Sequence, residues 1–480
     1  MPSSALLDET LRVVARRYRL PEAVAASSQM EKTGPAARLA IAIEQARQAL
    51  VRGDVPDPTL RRLFIEALAC MLDEAMRLEG GDAAFQAMVL RHRAPQVDEY
   101  AALSAQANQD RRSVHAAVNA VAHPAKQQQI LPGSRREALA QLHACASTAS
   151  WSEVSDTARR LLDMPELANE PALERGLTRV LESAELKRLQ RLDALASDEL
   201  VRQYQALWER NGPRSGSATA VAEGSVSRKR GEAVEALAAQ ALEALARRLN
   251  EAEGACYRVV TSMRVPSSLP GNSQHAKTEW DAVLLRQAHA NDATAVWDVC
   301  LLVEAKASVD AATTDFPRLR RGLRLLANAH KKVVYPFKTQ QETVHLSGAS
   351  LSALPTDETG LTRTVLYCVD APAETTPRLL SAAGRMQLLS APASLEFASA
   401  LANKQKPDPQ LLEPLWHQVL ESPRWSAVLH QYCVLHQVRE LMVHIDDLLI
   451  ASGKVGRTSP SIMDASRSRQ YIGNSDYESI

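Results

Sequence analysis

The sequence predicts a multidomain chain: an all-α N-terminal region, then an α/β domain built on a central mixed sheet, then C-terminal helices. Three observations carry that reading. Residues 1–210 are dominated by Ala, Leu, Arg and Glu, with apolar residues recurring at helical intervals and few β-branched runs. Residues 211–227 switch to Gly, Ser, Thr, Ala and Pro, a stretch with little to bury. Beyond them the pattern runs helix, strand, strand, strand, helix, strand, with the Val, Leu, Trp and Tyr content expected of a sheet.

Taken in order, helices are expected at 6–18, 36–51, 58–78 (stopped by Gly80 and Gly81), 135–146, 151–162 and across 173–207. Prolines 21, 56, 95, 132 and 165 mark connections, and no fixed period establishes a helical repeat. Residues 211–227 read as a linker. The α/β domain, 228–393, opens with a helix at 231–249, followed by strands at 257–265, 279–286, 296–307, 332–336 and 363–369. C-terminal helices are expected within 394–450, at 410–420 and 426–449. The Ser-, Gly- and Arg-rich residues 451–480 read as a mobile tail.

Composition removes several function classes. The 480 residues are 45% apolar and 23% charged, which excludes a wholly disordered chain, a collagen-like fibre and a polytopic membrane protein. Lys plus Arg equals Asp plus Glu at 56 each, so nucleic-acid binding would have to come from a local patch rather than a global basic field. The six cysteines are far apart and form no Cys-x-x-Cys pair, which suits a reducing compartment. No basic-then-apolar leader and no uncharged apolar run of about 18 residues is present, so a cytoplasmic location is expected. Secretion by a signal-independent route would leave no such mark.

Chemistry concentrates in two segments. Thr278-Glu279-Trp280-Asp281-Ala282-Val283 precedes a polar connection, after which comes Leu301-Leu302-Val303-Glu304-Ala305-Lys306. In an extended strand Glu304 and Lys306 emerge on one side, while Val303 and Ala305 face the other. If the two strands pair, Asp281 comes beside Glu304. Two clustered carboxylates are hard oxygen ligands for Mg²⁺ or Mn²⁺, and an adjacent amine can orient a water or stabilise charge developing on phosphorus. Without a cation the two acids would repel each other.

These segments resemble the PD-(D/E)XK nuclease superfamily, the fold of restriction endonucleases and junction resolvases. Its pattern is a helix bearing Glu, a strand bearing Asp and a strand ending in Glu-x-Lys. The matching residues are Gly231-Glu232-Ala233-Val234-Glu235, Asp281, and Glu304-Ala305-Lys306, and the resemblance spans about residues 228–340. Asp281 is preceded by Glu279 and Trp280 rather than by the Pro of the family name. The resemblance implies a restriction endonuclease-like domain and a metal-dependent phosphodiesterase, a DNA endonuclease before an RNA one. Asp281 and Glu304 would hold Mg²⁺ or Mn²⁺, Lys306 would assist the water, and Glu235 would be the helical acid, with Glu232 as its substitute. Glu185-Leu186-Lys187 has the same acidic-x-Lys form but sits in a helical pattern, where i and i+2 do not share a face.

Residues 316–341 contain Arg318, Arg320, Arg321, Arg324, Lys331, Lys332 and Lys338 and no acid, so a basic helix just after the Glu-x-Lys strand is expected to grip phosphates. Arg228-Lys229-Arg230 would extend the patch. His430, Cys433 and His436 are spaced three apart and rotate around a helix, so a zinc site is not expected. Two alternatives accompany the repair- or restriction-type nuclease: a nuclease toxin, effector or anti-phage enzyme, and an inactive nuclease fold that binds nucleic acid or protein. The N-terminal helices would engage a protein partner, and a homodimer would suit cleavage of both strands.

Overall fold

The computed structural model describes residues 4–20, 34–166, 170–212, 217–289, 295–357, 360–374 and 377–453. The chain is mixed helical, with a sheet and helices at both ends, and it divides into two compact units that are each discontinuous in sequence. One comprises residues 1–64, 221–385 and 418–480; the other comprises 65–220 and 386–417. This corrects the expected linear division. The described residues up to Phe64 belong with the sheet-bearing unit rather than with the other N-terminal helices, and the C-terminal helices are shared between units. The reason is packing: the apolar residues Leu7, Leu11 and Val14 belong to the core on one face of the sheet.

The sheet-bearing unit contains β1 (Tyr257–Arg264), β2 (Glu279–His289), β3 (Val296–Lys306), β4 (Val334–Lys338), β5 (Thr343–Ser347), β6 (Val365–Val369) and β7 (Met442–His444). Strands β1, β2 and β3 form an antiparallel meander. β6 runs parallel to the end of β3, and β7 runs parallel to β6. The β4–β5 hairpin pairs with the end of β1 and the start of β3, closing five strands into a ring. β5 and β7 were not anticipated. β5 is five residues long, and β7 interrupts what reads as one helix over 426–449; the helices there are Ser426–Leu429, Gln431–Leu441 and Ile445–Ala451.

Two apolar layers sandwich the sheet. On one face the long helix Ala218–Glu253 contributes Ala238, Leu242, Leu245 and Leu249, spaced to lie on one stripe. On the other, the helix Val309–Ala327 contributes Phe316, Leu319, Leu323 and Leu326, and the helix Gln431–Leu441 adds Leu435 and Val438. Within β3, Leu284 pairs Leu301 while Leu285 pairs Val299, so Cys300 is the extra residue of a β-bulge. Cys300 and Leu301 therefore both face the long helix, and the alternation resets with Leu302 on the opposite face. Glu304 and Lys306 inherit the phase of Leu302.

The expected linker is partly helical. The long helix starts at Ala218, well before the expected 231, and exposes almost every side chain up to Val234. Ala and Glu at 218–223 favour helix, while Gly224 and Gly231 each cost about 1 kcal/mol relative to Ala and mask the signal. Residues 213–216 and the expected tail from 454 onward lie outside the described residues.

The second unit is helical. Val114, Leu139, Leu142, Trp151, Val154, Leu177 and Leu189 form its main core. The helical pattern across 173–207 resolves into three helices, Pro171–Glu182, Ala184–Ala196 and Glu199–Arg210, with Ser183 and Asp198 each capping the helix that follows through side-chain oxygens. Glu185 and Lys187 lie on the second of these, as the helical pattern required. Among the described residues no helix is long and apolar enough to cross a membrane.

Candidate active site at the end of strand β3

Asp281 and Glu304 are brought to neighbouring positions by the β2–β3 pairing, whose regular register runs to Ala282 opposite Val303. One residue beyond, the Asp281 carboxylate replaces the strand partner and accepts a hydrogen bond from the Ala305 amide at 2.9 Å through Oδ2. Glu304 is completely buried. Its Oε2 is ion-paired with Lys277 and lies 3.2 Å from Lys306 Nζ. Its Oε1 is also buried and has no hydrogen-bond partner among the described residues. Burial, then the charge of Asp281, pushes the Glu304 carboxyl up to about 8 against the pull of both lysines.

Lys306 continues the cluster. Its amine is 3.7 Å from Asp315 Oδ2, and the same oxygen accepts from the Tyr367 hydroxyl at 3.2 Å. Tyr367 stands opposite Glu304 in the β3–β6 register. Burial alone would lower the Lys306 amine, but Glu304, Asp281 and Asp315 together hold it above its ordinary range. Glu235, on the helix Ala218–Glu253, faces the same end of the sheet. Partial desolvation and then the nearby Asp281 raise its carboxyl. Glu232 is solvent-exposed and lies 3.7 Å from Arg228, and Arg230 donates to the Asp370 carbonyl at 3.1 Å, so part of the Arg228-Lys229-Arg230 run is engaged locally.

Asp281, Glu304 and Lys306, named from sequence, thus come together, whereas Glu235 is exposed on its helix and makes no hydrogen bond or ion pair with them. Three others were missed. Lys277 lies four positions before Asp281, and a lone lysine ahead of a strand ordinarily reads as surface. Asp315 sits on the helix after Glu-x-Lys without any local signature. Tyr367 offered a faint one, since a phenol in the wholly buried strand Val365–Val369 requires a partner for its hydroxyl.

Lys277 owes its position to a glycine. Its backbone amide donates to the Arg318 carbonyl at 3.1 Å, and Arg321 Nε donates to the His275 carbonyl at 2.8 Å, strapping this segment across the helix Val309–Ala327. A Cβ on Gly322 would stand 2.8 Å from the Lys277 carbonyl oxygen. Gly322→Ala at an exposed helical site would stabilise by about 1 kcal/mol through propensity. Here overpacking is expected to reverse the sign and destabilise by about 1–3 kcal/mol, read as a lower denaturant midpoint.

The basic segment is placed in part as expected. Arg318, Arg321 and Arg324 are exposed on the helix Val309–Ala327, which begins three residues after Lys306 and is capped by Ser308. Arg320 is half-buried, with its guanidinium 5.9 Å from the Phe316 ring centroid and its Nε buried and unpartnered among the described residues, so it does not share that face. Lys331 and Lys332 fall in the turn after the helix, because the helix ends at Ala327.

In donor chemistry Asp281 and Glu304 suit a hard divalent cation such as Mg²⁺ or Mn²⁺ in three respects: carboxylate donors, a buried oxygen of Glu304 without a partner among the described residues, and mutual repulsion that raises Glu304. Among the described residues no group of three or more His, Cys, Asp or Glu side chains is arranged to hold a metal; Lys277 and Lys306 share one oxygen of Glu304, and a backbone amide takes one of Asp281. No family model, curated protein or solved structure matches the chain.

Proposed function

We propose that the chain is a metal-dependent nuclease of the PD-(D/E)XK type, acting on DNA before RNA. The observation that carries this is the juxtaposition of Asp281, Glu304 and Lys306 at one end of the sheet, with the two acids repelling one another. The order of a Glu-bearing helix, the strand with Asp281 and the strand ending in Glu304-Ala305-Lys306 follows the pattern of the resemblance. Closure of the meander by the β4–β5 hairpin is a departure from an open restriction endonuclease-like sheet.

In this reading Asp281 and Glu304 would hold Mg²⁺ or Mn²⁺, which when bound supplies charge neutralisation at the scissile phosphate and acidifies a water. Lys306 presents a fixed cation to the developing phosphorane charge, held from behind by Asp315 and Tyr367. Glu235, with its raised carboxyl, is suited to accept or return a proton at the edge of the site. Arg318 and Arg324 would contact the phosphodiester backbone beside it.

The test is incubation of the purified full chain with plasmid, linear duplex and RNA in Mg²⁺ or Mn²⁺, with an EDTA control. Metal-dependent cleavage supports the proposal; none in any substrate and metal overturns it. A second reading, a nuclease fold that only binds, is favoured by the Lys277–Glu304 ion pair, which fills the place a metal needs. It predicts binding without cleavage. In both readings Arg318→Glu with Arg324→Glu should weaken duplex binding uniformly across sequences. Each lost phosphate contact should reduce the slope of log affinity against log salt by about 1, measured by anisotropy.

A further inference from the structure

We infer that Lys277 is an internal counter-ion for Glu304, occupying a carboxylate oxygen that a divalent cation takes over, so that metal enters by displacing the lysine. This rests on the nuclease reading and deepens it. Once ionised, a fully buried carboxyl group needs a compensating charge, and here two amines crowd a single oxygen of Glu304 while the other is bare. Lys306 is committed by a second acid, since it also lies against Asp315. Lys277 has no second carboxylate partner among the ion pairs of the described residues, so it is the amine free to leave.

The backbone around Lys277 is fixed independently of its amine. The Lys277 amide is bonded to Arg318, the segment is held through His275 by Arg321, and the close approach to Gly322 leaves no slack. The four-carbon stem can therefore swing while the main chain stays in place. An alternative resting place is at hand, because Lys277 Nζ is already 5.9 Å from the Trp280 ring centroid. Three carboxyl groups, Asp281, Glu304 and Asp315, share this end of the sheet with two amines. Exchanging a monovalent amine for a divalent cation relieves that imbalance.

The probe is Mn²⁺ alone, with no nucleic acid, titrated into the full-length protein and its Lys277→Met and Lys277→Gln variants, free Mn²⁺ being read by electron paramagnetic resonance. Removing the competitor should tighten Mn²⁺ binding by about tenfold, as expected when a buried ion pair no longer opposes the metal. Without metal the variants should melt lower, and Mn²⁺ should raise their melting temperature more than that of the unaltered protein. Should the variants not fold, the ¹⁵Nζ signal of Lys277 in the unaltered protein decides. It should be protected without metal and lose that protection on saturation with Mg²⁺. Binding by the unaltered protein with equal or weaker affinity in the variants overturns the displacement and leaves the nuclease reading intact, as does a Lys277 signal unchanged at saturation. No Mn²⁺ binding by any form overturns both.

Discussion

Lys306→Ala is expected to reduce strand cleavage by on the order of 10²–10³-fold while duplex affinity changes little. The amine is the one cation in the cluster held on two sides, by Glu304 at 3.2 Å and Asp315 at 3.7 Å, so its position is fixed before substrate arrives. A fixed charge costs no reorganisation when the phosphorane forms, and this is why its loss should appear in turnover rather than in binding. The exposed arginines that would make the backbone contacts, Arg318 and Arg324, lie on a separate element and are untouched by the substitution. Lys306→Arg should restore little, because a planar guanidinium cannot take the place of a compact ammonium between two carboxylates. The measurement is single-turnover cleavage beside fluorescence anisotropy on the same duplex. Equal cleavage by Lys306→Ala and the unaltered protein would remove Lys306 from the chemistry.

How far the sequence reached follows from what each signal depends on. The β2–β3 strands were legible because their apolar runs are long and end in charges, and because strand alternation alone puts Glu304 and Lys306 on one side. The bulge at Cys300 was not legible, since it changes which face a residue takes without altering composition. It leaves the Glu304–Lys306 relation intact because it lies upstream of both. Domain boundaries failed for a different reason. Residues 5–14 look like any N-terminal helix, and only the tertiary structure shows that Leu7 and Leu11 pack into the core beneath the sheet. β7, at three residues, is shorter than any periodicity can reveal. At the site, the acids and Lys306 were found through their pattern, whereas Lys277 and Asp315 act by contacts across the fold that carry no local signature.

The second large effect is a pH dependence of metal binding set by Glu304. Its carboxyl titrates at about 8 in the folded chain because burial, and then Asp281, disfavour the ionised form. A group with a folded-state pKa above its ordinary value means that the native state binds more protons between about 4.5 and 8. Its contribution to stability is therefore fully present below about 4.5 and is lost as pH rises through 8, so the metal-free protein should melt lower at pH 8.5 than at pH 6 by this contribution. Metal binding has the opposite slope, since the ligand must be ionised before it can coordinate. Apparent Mn²⁺ affinity should climb by up to about tenfold per pH unit from pH 6 and level off near 8. The Lys306 amine is held above its ordinary range, so it stays cationic across this window and the slope belongs to the acid. Glu304→Gln should flatten both profiles, with Mn²⁺ affinity low at every pH. An affinity in the unaltered protein that is constant from pH 6 to 9 would mean that Glu304 does not bind the metal.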